Sequence, residues 1–264
     1  MMLLATIALS TVLPLAGLQS PQRDPPRPDG EPAPAEAVDD RRSKAAPVVA
    51  AWDDRTAKRA LAEFRRAMAG KPDLLARAAA LEPLALGSHP SLVRPLFRLA
   101  LDDDAVAIQR RAIALLANQP ERAASRALLD LLGTARVRAS APVLADLVQA
   151  FARCGYEPGR WSKLEDLFEH SFEAEWLPVQ RALLDLIAHH GEAQAVPLLL
   201  RHLDEPIPVD VDHPDNPPES YWKARWLAWE VFREPVREAL FAITGQRFAS
   251  RKEAETWLAA NPLR

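Results

Sequence analysis

The chain has 264 residues, 48% of them apolar, with 33 Lys and Arg against 36 Asp and Glu for a formal net charge of -3. That overall balance lacks the basic surface that counterion release from nucleic acid requires, so no nucleic-acid partner is expected, although local patches remain open. The single cysteine, Cys154, excludes an intrachain disulfide and any CxxC redox or zinc site.

From the amino terminus, Met2 to Leu18 is nearly continuous apolar sequence, interrupted by Thr6, Ser10, Thr11, Pro14 and Gly17. This predicts a secretory signal over residues 1–19, cleaved between Ala16 and Ser20. At about seventeen residues the run falls short of the roughly twenty that span a bilayer. A retained anchor is the alternative; cleavage leaves no stable membrane span and places the protein in the periplasm or outside the cell. No cysteine follows the run, which excludes a lipoprotein anchor there.

Residues 20–50 form a Pro-rich linker. Pro21, Pro25, Pro26, Pro28, Pro32, Pro34 and Pro47 stand among Asp, Glu, Arg and Ala with almost no bulky apolar side chain. Such a composition buries too little surface to fold alone and predicts an extended, semi-stiff tether.

Over residues 51–264 the pattern becomes Ala, Leu and Arg at helical spacing, with no strand-like alternation and no hairpin turn dipeptide. An all-α body is the expectation. A first helix pair spans Asp53 to Ala69 and Asp73 to Leu86, around Gly70-Lys71-Pro72. A second spans Leu92 to Leu101 and Ala105 to Ala117, joined by Asp102-Asp103-Asp104, whose short acidic side chains suit the start of the following helix. The third runs from Arg122 to Leu132 and from Pro142 to Arg153, closed by Gly155. The fourth runs from Trp161 to His170 and from Pro178 to His190, closed by Gly191; glycine adopts the left-handed stop conformation cheaply. Cys154, between Phe151-Ala152-Arg153 and Gly155, is expected to be a small buried hydrophobe at a helix end.

A phrase repeats through these pairs. Pro142-Val143, Pro178-Val179 and Pro235-Val236 each open a helical run and precede Leu147-Val148, Leu183-Leu184 and Leu240-Phe241 by the same interval. The first two copies are 36 residues apart and the last two 57, which marks about 21 extra residues in the last unit. Likewise Ile108-Gln109-Arg110-Arg111-Ala112-Ile113 matches Val179-Gln180-Arg181-Ala182-Leu183-Leu184, two units later. Each second helix thus carries one apolar stripe that a single pair cannot cover, so the pairs are expected to stack.

Units of about 32 to 40 residues, the Asp-rich turn, the apolar-Gln-Arg step and the phrase Ala193-Gln194-Ala195-Val196-Pro197-Leu198-Leu199 resemble HEAT repeats, particularly the short HEAT-like repeats of bilin lyases. The likeness covers roughly residues 53 to 245. The closing stretch from Ala239 to Phe248, with the Glu253-to-Leu258 helix after it, is similar to the terminal segment of secreted bacterial HEAT-repeat proteins. The resemblance implies a right-handed α-solenoid of about five helix pairs with a C-terminal capping helix. It also implies a concave face, lined by second helices, that holds partners.

The fifth unit opens with a helix from Val196 to Leu203, and the insertion, about residues 205–233, follows. Asp204 to Glu219 holds six acids, five prolines and no Lys or Arg. It must be exposed and non-helical. Asp210, Asp212 and Asp215, with Asn216, can supply oxygen to a hard cation, but their spacing matches no EF-hand and lacks its Gly and final Glu, so a solvated loop is the expected reading. Beyond the loop, Trp222, Trp226, Trp229 and Arg233 share one helical face. That stripe either packs on the end of the array or forms an aromatic platform for a carbohydrate ring or a partner segment. Pro235 either kinks this helix or begins a new one.

No catalytic signature is present: the chain has no G-x-S-x-G, HExxH, phosphate-cradling glycine loop or CxxC. His189 and His190 point about 100° apart on a helix and suit one metal poorly. Neither a cofactor nor a metal is expected. Iron enzymes of the HEAT-like class carry His-Glu pairs, which this chain lacks because Gly191 separates His190 from Glu192. The expected function is an exported, non-catalytic scaffold for a protein partner in the cell envelope or outside the cell. The alternatives are a bilin-lyase-like enzyme and a carbohydrate or cell-wall binder using Trp222, Trp226 and Trp229.

Overall fold

The computed structural model describes residues 49–70, 72–208 and 213–263. The expected signal segment, most of the linker, and Asp210 and Asp212 lie outside the described residues.

The body is all-α, as its periodicity predicts. Twelve α-helices are present among the described residues: α1 (Asp54–Ala67), α2 (Leu74–Leu81), α3 (Pro90–Asp102), α4 (Val106–Leu116), α5 (Glu121–Leu132), α6 (Ala135–Arg138), α7 (Ala141–Arg153), α8 (Glu165–Phe168), α9 (Leu177–His190), α10 (Val196–Arg201), α11 (Glu219–Thr244) and α12 (Arg251–Ala260). None of them is long and apolar enough to cross a membrane.

Their ends follow local chemistry. Asp53 and Asp73 each accept a hydrogen bond from the backbone N–H three residues on, at 2.7 and 2.8 Å, capping α1 and α2. At the start of α12, Ser250 Oγ accepts from Glu253 N while Glu253 Oε2 accepts from Ala249 N at 2.7 Å, a reciprocal cap. Gly191 and Gly245 close α9 and α11 in the left-handed conformation, at φ 61° and 70°.

Packing runs in two rows. α1, α3 and α5 touch in succession, and so do α2, α4, α7, α9 and α11. The apolar stripes that single pairs leave open are buried between members of the second row. Ile108, Ala112, Ile113 and Leu116 of α4, Val143, Leu144, Leu147 and Val148 of α7, and Val179, Leu183, Leu184 and Ile187 of α9 are all at most 1% exposed. Burying each such aliphatic side chain contributes roughly 1.5–3 kcal/mol.

Polar ties between neighbouring units recur at close to the repeat interval. Arg111 pairs with Glu82, Arg110 with Asp146, and Arg138 with Asp166, at separations of 29, 36 and 28 residues. A buried tie joins Tyr156 to Glu192: the phenol donates to Glu192 Oε2 at 2.7 Å, and Oε1 caps Gln194 N. Burial and the adjacent carboxylate push the Tyr156 hydroxyl well above its usual range, so it stays protonated and donates.

Four expectations are corrected or refined. Helix start at Pro235 fails: Pro235 is buried inside one continuous 26-residue helix, α11. Proline costs that helix only the hydrogen bond to the Val231 carbonyl, while Phe232, Val236, Ala239 and Leu240 anchor the turns on both sides in the core. The expected single helix from Trp161 to His170 is broken into a 3-10 turn at Trp161–Lys163 and the one-turn α8. Buried side chains terminate it: Trp176 Nε1 donates to the Leu167 carbonyl at 2.8 Å, and Gln180 Nε2 donates to those of Phe168 and Ser171. The aspartate turn does not cap α4, whose first turn receives no side-chain bond: Asp103 accepts from Ala105 N at 2.9 Å, ahead of the helix, and Asp103 and Asp104 both hold Arg77 of α2. Finally, a two-residue parallel pairing joins Ala50–Ala51 to Gly87–Ser88. It ties the end of the expected linker down, and it requires Gly87, because a Cβ there would meet the Trp52 ring at 1.8 Å.

Candidate groove beside the inserted segment

The insertion contributes a loop and the first four turns of α11. Glu219 opens the helix directly after Pro218, where an acid favours the N-terminal dipole. Ala228 and Phe232 hold it on the core at 1% and 2% exposure, and Tyr221, Ala224 and Trp229 pack partly against the same core. The Trp stripe lies on the flank of this face. Trp222, Trp226 and Trp229 are each half-buried, and Arg233 is exposed.

The structure separates the stripe into two parts. Trp222 lines a groove of about 630 Å³, bounded by Pro206, Ile207 and Pro208 of the loop, by Arg225 of α11 and by Arg251 of α12. Trp226 secures the loop to the helix, donating from Nε1 to Glu205 Oε1 at 2.6 Å. Trp229 and Arg233 lie outside this groove, with the Arg233 guanidinium 5.4 Å from the Trp229 ring centroid. Asp215 is not among the residues lining this groove, although its neighbours His213 and Asn216 are; its carboxylate is 91% exposed and lies 4.0 Å from His213. Among the described residues no group of three or more His, Cys, Asp or Glu is placed to hold a metal.

Arg225 is the residue that the sequence did not single out. Its guanidinium lies 5.5 Å from the Phe172 ring centroid and 5.7 Å from that of Trp222. Its Nη1 donates to the Tyr221 hydroxyl at 3.4 Å; its Nε is buried with no acceptor among the described residues, and so is Nε1 of Trp222. A half-buried guanidinium with no carboxylate partner leaves donors unsatisfied, which is costly unless an acceptor arrives.

Behind this groove sits a second unexpected cluster. His202, 2% exposed, is enclosed by the rings of Phe168, Phe172 and Phe232, at centroid distances of 4.9, 6.1 and 5.6 Å. Burial pushes its pKa below the usual imidazole range, so the ring is neutral and donates from Nε2 to Glu169 Oε1 at 2.8 Å. That donor, with Arg201 at 3.3 Å, holds the Glu169 carboxyl down at about 2. The signal for this cluster in the sequence is weak, since His202 and Glu169 lie 33 residues apart.

No family model, curated protein or solved structure matches the chain.

Asp204, Glu205 and His213 line the groove; Glu205 accepts from Trp226 Nε1, and Asp204 accepts from Arg251 N at 3.0 Å. Glu169 stays ionised and paired far below neutral pH, and Cys154, at the end of α7, is held protonated by burial. His190 is engaged as well, with Nε2 2.8 Å from the Ala152 carbonyl. The groove itself presents apolar Pro206, Ile207 and Pro208, the Trp222 ring and the Arg225 and Arg251 side chains.

Proposed function

We propose that this chain is an exported, non-catalytic scaffold that holds a protein partner, built as a right-handed HEAT-like α-solenoid of about five helix pairs capped by α12. The two rows of successive helices and the ties at near-repeat spacing support the repeat architecture. The observation that carries the function is the groove at the one interruption of the repeat. There, apolar Ile207 and Pro208 are set beside Trp222 and the Arg225 guanidinium, which has no carboxylate partner among the described residues. A protein segment fits that combination, inserting an apolar side chain and bringing a carboxylate to Arg225.

A sugar platform is less well supported, because one face of Trp222 is taken by Arg225 and one face of Trp229 by Arg233.

The test is capture of the envelope partner by crosslinking to the exported full-length protein, comparing wild type with Trp222→Ala and Arg225→Ala. Each variant is expected to lose the captured species at unchanged melting temperature. Undiminished capture by both, or a coloured chromophore retained through purification, would overturn the proposal.

A further inference from the structure

Of the eight exposed arginines on the first-row helices, five border grooves: Arg65 on α1, Arg94 and Arg98 on α3, and Arg122 and Arg126 on α5. Arg94 and Arg98, and Arg122 and Arg126, are each four residues apart and so share one face of their helix. None of the five has a hydrogen bond or ion pair among the described residues, whereas arginines elsewhere in the same units, such as Arg77, Arg110 and Arg111, do.

These side chains form one continuous line. Arg65, Arg94 and Arg98 border a groove of about 680 Å³ between α1 and α3. Arg94 also borders the next, of similar size between α3 and α5, together with Arg122 and Arg126. Those last two continue into a third, of about 520 Å³, that reaches Gly155 and Arg160. Asp102, Asp103, Glu121, Asp130 and Glu157 also touch these grooves but pair with none of the five; Asp103 is held by Arg77 and Glu157 by Arg160. The line belongs to a wider asymmetry: residues 51–140 carry 15 Lys and Arg against 10 Asp and Glu, and residues 141–264 carry 13 against 20. Like charges at this spacing destabilise a helix and gain nothing within the fold.

We propose that this face binds an acidic protein segment in which carboxylates alternate with apolar side chains. Planar guanidinium groups take carboxylates bidentately. The middle groove also presents Val93, Phe97 and Pro120 between its arginines, and these demand apolar side chains between the acids. A nucleic acid would leave those apolar positions unmatched and calls for exposed stacking rings. A membrane surface would call for a protruding apolar face rather than recesses. The inference rests on the scaffold proposal only in taking the ligand to be protein; it concerns a surface whose residues are not those of the Trp222 groove.

The experiment is fluorescence anisotropy of the full chain with a labelled peptide made of three Glu-Leu-Glu-Pro repeats, against its Gln-Leu-Gln-Pro counterpart. The acidic peptide is expected to bind at least ~10-fold more tightly than the Gln form, with affinity falling as salt rises. Combining Arg94→Glu, Arg122→Glu and Arg126→Glu is expected to weaken binding ~10-fold or more, whereas Trp222→Ala leaves it unchanged. The three positions are exposed and unpaired, so the variant is expected to fold; should it not, Arg→Gln at the same positions gives the same comparison. Equal binding of the two peptides would overturn the proposal, as would unaltered binding by the arginine variant. So would tighter binding of phosphatidylglycerol vesicles or a 20-nucleotide single strand, or occupation of the face by a second copy of the chain in sedimentation. Loss of partner capture with Trp222→Ala tests the other groove and leaves this outcome independent.

Discussion

His202 shows how much one buried group can set. The unfolded chain takes up a proton on this imidazole below about pH 6.5, while the folded chain, where burial depresses the pKa, resists it. A depressed folded pKa means that stability falls as pH drops through that window, by about 1.4 kcal/mol for each pH unit over which only the unfolded state is protonated. Glu169 adds a second limb in the same direction: its stabilisation is complete above the ordinary carboxyl range and is lost as pH falls toward about 2. His202→Gln retains a donor for Glu169 and removes the titration. Its melting temperature is expected to change less than that of wild type between pH 7 and pH 5, and an identical pH dependence would show that His202 is not the group responsible. The same scale explains why the site was only partly legible. The Trp stripe is visible as a spacing of four and three residues, but Arg225 differs from any surface arginine only through Phe172 and Tyr221, which the fold brings to it.

At the scale of elements, helix pairs were legible wherever an apolar stripe coincided with a capping residue or a stop glycine, as in α1, α7 and α9. They were not legible where side chains captured the backbone. Nothing local in Trp161 to His170 signals that Trp176 and Gln180 will take its carbonyls. Pro235 misled in the opposite sense, because burial on both sides of it outweighs the loss of one hydrogen bond. Gly155 marks a junction where both conformation and space demand glycine. It lies at φ 78°, and a Cβ would come within 2.6 Å of Ser125 Cβ on α5. Its carbonyl accepts from Ser125 Oγ and from Arg160 at 3.2 and 3.0 Å. Gly155→Ala is expected to destabilise the protein by about 2–4 kcal/mol, combining left-handed strain with displacement of α5 from α7. Gly70→Ala, at a similar φ of 79° but with open space, is expected to cost only about 1–2 kcal/mol. Urea denaturation of the two variants measures the difference; equal losses would mean that contact with Ser125 contributes nothing.

Across the whole molecule, regular and irregular features divide the work. Recurring stripes and near-repeat ties build two rows of helices; unspent chemistry lies both at the departure from regularity, in the groove at the insertion, and on the regular first row, along the arginine line. The central claim is that the groove at the insertion contacts a protein partner, and site-specific photocrosslinking in living cells tests it most directly. A photoreactive phenylalanine analogue replaces either Ile207, 73% exposed and bordering the groove, or Leu75, 80% exposed on α2 outside it. The account predicts a discrete adduct from position 207 that Arg225→Ala abolishes, and none from position 75. No adduct at 207, or the same adducts from both positions, would contradict it.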